Sequence, residues 1–271
     1  MSAGKAAAAG AVQGAGPGFV EGAGEGAVFG GESTSKLELI MGREGLKRLA
    51  ASTVMVIGLG GVGSNCAEAL ARGGVGRLVV VDHDVVSASN INRQAIAFES
   101  TIGRKKTEVM SAMIADINPA IQVEEVDRFL SAEDVSAFMD GYRGQVDYVV
   151  DAIDTVSAKI ELAVYADREG LRLISSMGAA NKLHPECLRL ADIYETTNCP
   201  LSRVVRRECR KRGVRGLRVL YSCEQARPAT VPEGAGPHDR SNLGTASYMP
   251  PIMGQMIAGA VIRELAGLEE A

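Results

Sequence analysis

Short apolar runs alternate with segments of helical spacing through the middle of the chain. Residues 53–57 (TVMVI) are apolar and rich in β-branched side chains, and Gly58 stops them, so the pattern predicts a first buried strand. Residues 64–72 follow with Ala67, Leu70 and Ala71 at helical spacing. A second buried strand is predicted over 77–81, where LVVV closes on Asp82. Residues 105–117 place Val109, Met113, Ile114 and Ile117 on one helical face, and Asn118-Pro119 stops them. Further strands are expected at 121–126, 148–151 and 171–175, with a helix carrying Val156, Ile160, Ala163 and Val164 between the last two. A short helix end at 46–50 precedes the first strand. Strands alternating with helices imply a mostly parallel sheet with helices on both faces. Beyond about Cys187 the alternation breaks down, which predicts a smaller C-terminal appendage ending in a helix.

The chain's 271 residues are enough for one large α/β domain with such an appendage. Its first 31 residues hold ten glycines and nine alanines, with neither the apolar run of a signal peptide nor an Arg-rich amphipathic pattern. Residues 1–35 therefore read as a disordered tail. Residues 243–262 are the one apolar stretch of membrane-spanning length, but they contain Pro250, Pro251 and Gln255. A buried helix from about Ile252 is expected there, and no membrane span. The five cysteines form no C-x-x-C pair, which argues against a tetrathiolate zinc site and fits a reducing, cytoplasmic location.

The chemistry begins at Gly58-Leu59-Gly60-Gly61-Val62-Gly63, a G-x-G-x-x-G loop between a strand and a helix. Glycines there allow the tight turn, the close approach of backbone to a phosphate, and close packing of the following helix, whose N-terminus attracts an anion. The fold class is thus Rossmann-like. Asp82, 19 residues after Gly63, stands where a carboxylate accepts hydrogen bonds from ribose, a trait shared by NAD enzymes and adenylating enzymes. Its alternative is a solvated strand-end acid.

The next segments separate those two classes. Ser89-Asn90-Ile91-Asn92-Arg93-Gln94 lies just past the second strand, and Arg104-Lys105-Lys106 opens the next helix. A nicotinamide site has no use for several cations near a third phosphate. A site that splits ATP to AMP and pyrophosphate needs them, because charge builds on the bridging oxygen as it breaks. Arg93 supplies a planar fork and Lys106 a point charge. Three cations at a helix start oppose the helix dipole, which points to a bound anion; a solvated helix start is the alternative. Asp151-Ala152-Ile153-Asp154 ends the fourth strand. Asp154 is either an oxygen ligand for Mg²⁺ or the N-cap of the helix starting at Thr155.

GLGGVG, VDHD, SNINRQ, GRKK and DAID, in that order, resemble the ubiquitin-activating-like (ThiF/MoeB/HesA) superfamily. The segments ISSMGAANKL, CPLSRVVRRECRKRG and PPIMGQMIAGAVIREL are most similar to its tRNA threonylcarbamoyladenosine dehydratase branch. The resemblance implies an ATP-binding adenylation core over 36–186 and a substrate-binding appendage over 187–271. It implies that Gly58, Gly60, Gly61 and Gly63 cradle phosphate, that Asp82 binds ribose, that Asn90, Arg93 and Lys106 hold the triphosphate, and that Asp154 serves Mg²⁺. It also implies a homodimer in which Lys36, standing in an arginine's place, reaches the partner subunit's ATP. A sulfur-transfer or cysteine desulfurase partner belongs to the same set of expectations. The implied activity is ATP-dependent activation of the carboxylate of threonylcarbamoyladenosine, followed by cyclisation with net loss of water. The alternative within the superfamily is an adenylyltransferase acting on the C-terminus of a ubiquitin-like sulfur carrier.

Between Arg203 and Arg218 lie eight cations and one acid, Glu208, in a chain whose net charge is −4. Arg203, Arg206, Arg207 and Arg210 recur at helical spacing, as a face that tracks tRNA phosphates would; a solvated helix face is the alternative. Cys199 heads this segment, either as a reactive thiol or as a small buried hydrophobe.

Overall fold

The computed structural model describes residues 32–228 and 243–268; the glycine- and alanine-rich stretch 1–31 and residues 229–242 lie outside the described residues. Helix α1 (Ser35–Ala51) follows a 3₁₀ turn at Glu32–Thr34, so residues 32–35, assigned to the tail, already belong to helical structure. Gly42 breaks α1 in its middle with φ 69° and ψ 167°. Only the second half carries buried residues, Gly45, Leu46 and Leu49, which is why sequence pattern alone marks only a short helix end.

Strand β1 (Thr53–Ile57) leads through the glycine loop into α2 (Gly63–Gly73), and β2 (Arg77–Asp82) follows. Then come α3 (Lys106–Ile117), β3 (Gln122–Asp127), α4 (Val135–Asp140), β4 (Tyr148–Asp151), α5 (Val156–Glu169) and β5 (Leu173–Ser176). The last part holds β6 (Leu188–Asp192), α6 (Pro200–Lys211), β7 (Arg218–Ser222) and α7 (Met249–Ala266). The strands form one seven-stranded sheet in the order β3-β2-β1-β4-β5-β7-β6. All neighbours run parallel except β6, which is antiparallel to β7. The segment set apart as an appendage is thus joined to the core: β7 extends the sheet beside β5, and α7 packs against α2.

The central strands are buried on both faces, and their side chains alternate between two cores. Val54 and Val56 of β1, with Leu78 and Val80 of β2, face α2, α3 and α7. Met55 and Ile57, with Val79 and Val81, face α4, α5 and α6. Edge strand β3 is half-exposed and carries Glu124 and Glu125. Helix α7 starts at Met249, three residues before the expected Ile252, with prolines in its first turn, where a missing N–H costs nothing. No helix among the described residues is long and apolar enough to cross a membrane. The strand order reverses between β1 and β4, and the carboxyl ends of β1, β2 and β4 open there onto a crevice, the place where open α/β sheets bind ligands.

Candidate active site

The crevice is a cavity of about 410 Å³. Gly58, Gly60, Gly61, Asp82, Asn90, Arg93, Lys106 and Asp154 all line it. Gly63 stands one step behind, as the first residue of α2. Lys36 is exposed on α1 and does not line this cavity.

The glycine loop is held by backbone geometry. Gly58 adopts φ +91°, and a Cβ there would stand 2.8 Å from the Ala152 carbonyl oxygen. A Cβ on Gly63 would stand 1.7 Å from the Gly58 oxygen. These two glycines are required by the fold itself. Gly60 differs, because a Cβ there meets no protein atom within 4 Å. Packing does not explain glycine at that position, and the open space leaves room for a ligand to lie against the backbone. The loop is also clamped to the 89–94 segment. Ser64 Oγ donates to Gly60 O at 2.7 Å and accepts from Ala95 N at 3.1 Å. Asn65 Nδ2 donates to Gly61 O at 2.7 Å and to Arg93 O at 3.0 Å. Sequence reasoning did not single out Ser64 or Asn65; they are polar residues on the buried face of α2, which is their one visible signal.

Asp82 joins β2 to the loop: its Oδ2 accepts Leu59 N–H at 2.6 Å and its Oδ1 accepts Asp84 N–H at 2.8 Å. A carboxylate offers about four acceptor positions, so two backbone donors leave room for a ribose hydroxyl. Lys106 is 5% exposed, and its Nζ lies 2.8 Å from Asp84 and 4.0 Å from Asp82. Burial acts to raise the Asp84 carboxyl, but the hydrogen bond and charge of Lys106 outweigh it and hold the group below the usual carboxylate range.

The three cations at the start of α3 do not act together. Arg104 pairs with Glu108 at 2.5 Å and Lys105 pairs with Asp127, so both are neutralised on the surface. Of the three only Lys106 reaches the cavity, where it is itself paired with Asp84. Arg93 Nη1 donates to Ser89 O at 2.9 Å and to Asn92 Oδ1 at 2.7 Å, which orients the guanidinium at the cavity wall. Asn90 is buried and accepts Ser87 N–H on its Oδ1 at 3.1 Å, fixing the turn that carries Arg93.

Asp154 is exposed on the cavity wall. The N-cap of α5 is Thr155 and the helix starts at Val156, so Asp154 precedes the capping position and the N-cap alternative does not apply. Its turn is anchored from below. Asp151, at the end of β4, is fully buried with Lys159 Nζ at 2.8 Å and Ser175 Oγ at 2.5 Å, and it accepts Ile153 N–H at 3.2 Å. An oxygen donor on a polar, open wall suits Mg²⁺ shared with phosphates.

The four arginines of α6 share a separate surface groove with Lys211. They are not equivalent. Arg206 Nη1 donates to Thr196 O at 2.6 Å and Thr196 Oγ1 at 2.7 Å, and so is tied into the structure. Arg210 lies over the Tyr194 ring, 5.2 Å from its centroid. Arg203 and Arg207 are exposed, and Arg207 contacts Glu208 at 3.1 Å. Cys199 caps α6: its buried Sγ accepts Ser202 N–H at 3.4 Å and donates to Gly178 O at 3.7 Å. Burial pushes the Cys209 thiol up to about 11 and the Cys66 thiol higher still, so both serve as packing residues.

The ThiF family model matches residues 33–271. The chain is 41% identical over 242 residues to the tRNA threonylcarbamoyladenosine dehydratase of Bacillus subtilis, spanning 85% of this chain and 93% of that protein. It is 38% identical over 168 residues to the dehydratase of the same name from Escherichia coli, covering 62% of this chain and 61% of the relative. The crystal structure of the Escherichia coli dehydratase superposes with a TM-score of 0.76 at 28% identity, covering 87% of this chain and 94% of that one. The same protein solved in complex with ATP gives a TM-score of 0.75 at 29% identity, covering 86% and 93% of the two chains.

Proposed function

The chain belongs to the ThiF family, and from that membership we propose that it is an ATP-dependent tRNA threonylcarbamoyladenosine dehydratase. It activates the carboxylate of the threonylcarbamoyl side chain and closes that side chain into a ring with net loss of water. The observation that carries this reading is the convergence of Gly60, Arg93, Lys106 and Asp154 on one cavity.

In this reading the glycine loop and the α2 N-terminus receive the phosphates, and Asp82 holds the ribose. Arg93 and Lys106 neutralise charge as it develops on the departing pyrophosphate, and Asn90 assists them. Asp154 would hold Mg²⁺, which offsets the charge of the phosphates. The substrate carboxylate takes AMP, and the carbamoyl nitrogen of the same side chain then displaces it. That second step is effectively unimolecular, because both groups sit on one bound nucleoside. No protein nucleophile is required, which agrees with a Cys199 sulfur engaged as a helix cap. The arginine groove on α6 suits tRNA phosphates. A homodimer belongs to the same proposal. Leu39 and Ile40 on the first half of α1 are 81% and 76% exposed, an apolar surface suited to a second copy, and Lys36 on the same half would reach across to the partner's ATP. A cytoplasmic location belongs to the same proposal.

The test is mass spectrometry of nucleosides from hypomodified tRNA, bearing uncyclised threonylcarbamoyladenosine, after incubation with the protein, ATP and Mg²⁺. Loss of one water's mass is expected, and none with Asp154→Ala. No loss, with ATP–pyrophosphate exchange only when a ubiquitin-like carrier is added, would assign the protein to carrier activation instead.

A further inference from the structure

Two of the five cysteines stand beyond the nucleotide cavity, where β6 and β7 meet. Antiparallel pairing sets Leu188 opposite Ser222 at the end of the ladder. One step further out, Cys223 N–H donates to Cys187 O at 3.0 Å, so the two cysteines face each other across the strands. Both are partly exposed, unlike Cys66, Cys199 and Cys209, which are buried. Burial first, and then the neighbouring Cys223 sulfur, Glu186 and Glu224, hold the Cys187 thiol above its ordinary value. No third sulfur or imidazole joins them in a metal-ligating cluster among the described residues.

The pair sits on a junction of several segments. Cys223 O accepts Asn198 Nδ2 at 3.0 Å, and Ser222 O accepts Lys182 Nζ at 2.7 Å. Lys182, buried, also reaches Asn198 O at 3.3 Å. Asn198 holds a left-handed conformation, φ 52°, immediately before Cys199 caps the arginine helix α6. Glu224 accepts the N–H groups of Leu183 and His184 at 3.0 and 2.9 Å. The Cys223 peptide therefore holds the corner from which α6 starts.

We propose that Cys187 and Cys223 form a reversible disulfide, made by exchange with a small-molecule disulfide, that fastens the corner at Asn198 and Cys199 from which the arginine helix begins. One protein thiolate attacks a sulfur of the reagent, releasing one small thiol and leaving a mixed disulfide. The second protein thiolate attacks the protein sulfur of that bond and releases the other small thiol. Two electrons pass from the cysteines to the reagent, and the two protons they lose end on the released thiols. In a reducing compartment the bond is transient and is reopened by the reverse exchange.

The experiment incubates the full chain with oxidised glutathione at about pH 8.5, where more thiol is ionised. Unreacted thiols are then alkylated in denaturant, peptides are mapped by mass spectrometry, and amide exchange is followed on the folded oxidised and reduced forms. The expected result is a Cys187–Cys223 crosslinked peptide, reversed by a monothiol reductant, with slower exchange in residues 198–203 of the oxidised form. Cys187→Ser and Cys223→Ser should each abolish the crosslink and the slowing, while their reduced forms keep the parent's exchange pattern elsewhere. Stable glutathione adducts on either cysteine, a crosslink to another cysteine, or unchanged exchange at 198–203 despite the crosslink would each overturn the proposal. If a serine variant fails to fold, alkylation of both cysteines after oxidation of the parent still overturns it.

Discussion

The ammonium of Lys159 stands 2.8 Å from Asp151 Oδ2 with both side chains wholly out of solvent. This pair, completed by Ser175 Oγ, supports the β4–α5 turn that presents Asp154 to the nucleotide cavity. Removing one partner leaves an uncompensated charge in the core, which costs about 3–5 kcal/mol. Lys159→Met is therefore expected to lower the unfolding free energy by that amount in urea. Asp151→Asn should do the same, although neither residue lines the cavity. Unchanged stability in both variants would show that the pair contributes nothing to the turn.

The glycines of the loop should separate into two classes. Gly58→Ala and Gly63→Ala place a methyl against backbone oxygen and are expected to cost about 2 kcal/mol or more of stability. Gly60→Ala places its methyl in open space. Its melting temperature should match the parent, while ATP affinity measured by calorimetry falls about tenfold or more. Full ATP affinity in Gly60→Ala would mean that the phosphates lie elsewhere.

Much of this arrangement was legible in the sequence because the parallel strands are buried on both faces. TVMVI, LVVV and YVVD are continuous apolar runs ending on a glycine or an acid, and their carboxyl ends carry the site. Strands β6 and β7 were not legible. LRLAD and RVLYS are short and carry charge, and their pairing joins residues some 30 positions apart, which no local pattern encodes. Helix α4 and the Gly42 break escaped for a similar reason, being too short or too exposed to show a period. Lys159 left a signal that was not used: it lies three residues after Val156 and four before Ala163, on the stripe assigned to the core, where an unpaired lysine could not sit. Partners decided the remaining differences. Nothing in GRKK reveals that Arg104 and Lys105 are neutralised by Glu108 and Asp127 while Lys106 alone turns to the cavity.

Glu208 is the lone acid among the cations of the α6 segment, and hydrogen bonds from Arg212, Lys211 and Arg207 lower its carboxyl to about 2. A depressed carboxylate contributes stability that is fully present above its unfolded value, 4.5, and is lost as pH falls through the folded one. The stability difference between the parent and Glu208→Gln should therefore be constant near neutrality and vanish between pH 4.5 and about 2. The same substitution removes the carboxylate partner of Arg207 and Lys211 at the groove. At neutral pH it is expected to tighten tRNA binding and to steepen its salt dependence. A difference that persists unchanged to pH 2 would show that these bonds do not stabilise the fold.

Arg203 and Arg206 lie on the same helix and line the same groove, yet their substitutions should read out differently. Arg206 makes two hydrogen bonds to Thr196, and charge-assisted bonds of this kind stabilise by about 1.5–3 kcal/mol. Arg206→Ala is expected to lower the unfolding free energy within that range and to weaken tRNA binding only secondarily. Arg203 is exposed, so Arg203→Ala should leave the melting temperature unchanged. If Arg203 meets a phosphate, its loss should weaken binding similarly across tRNA sequences and reduce the slope of log affinity against log salt by about one. Binding titrations over a salt series, run beside thermal melts of both variants, separate the two roles. Unchanged salt slopes in both would place the tRNA on another face and leave the arginine groove a solvated helix surface.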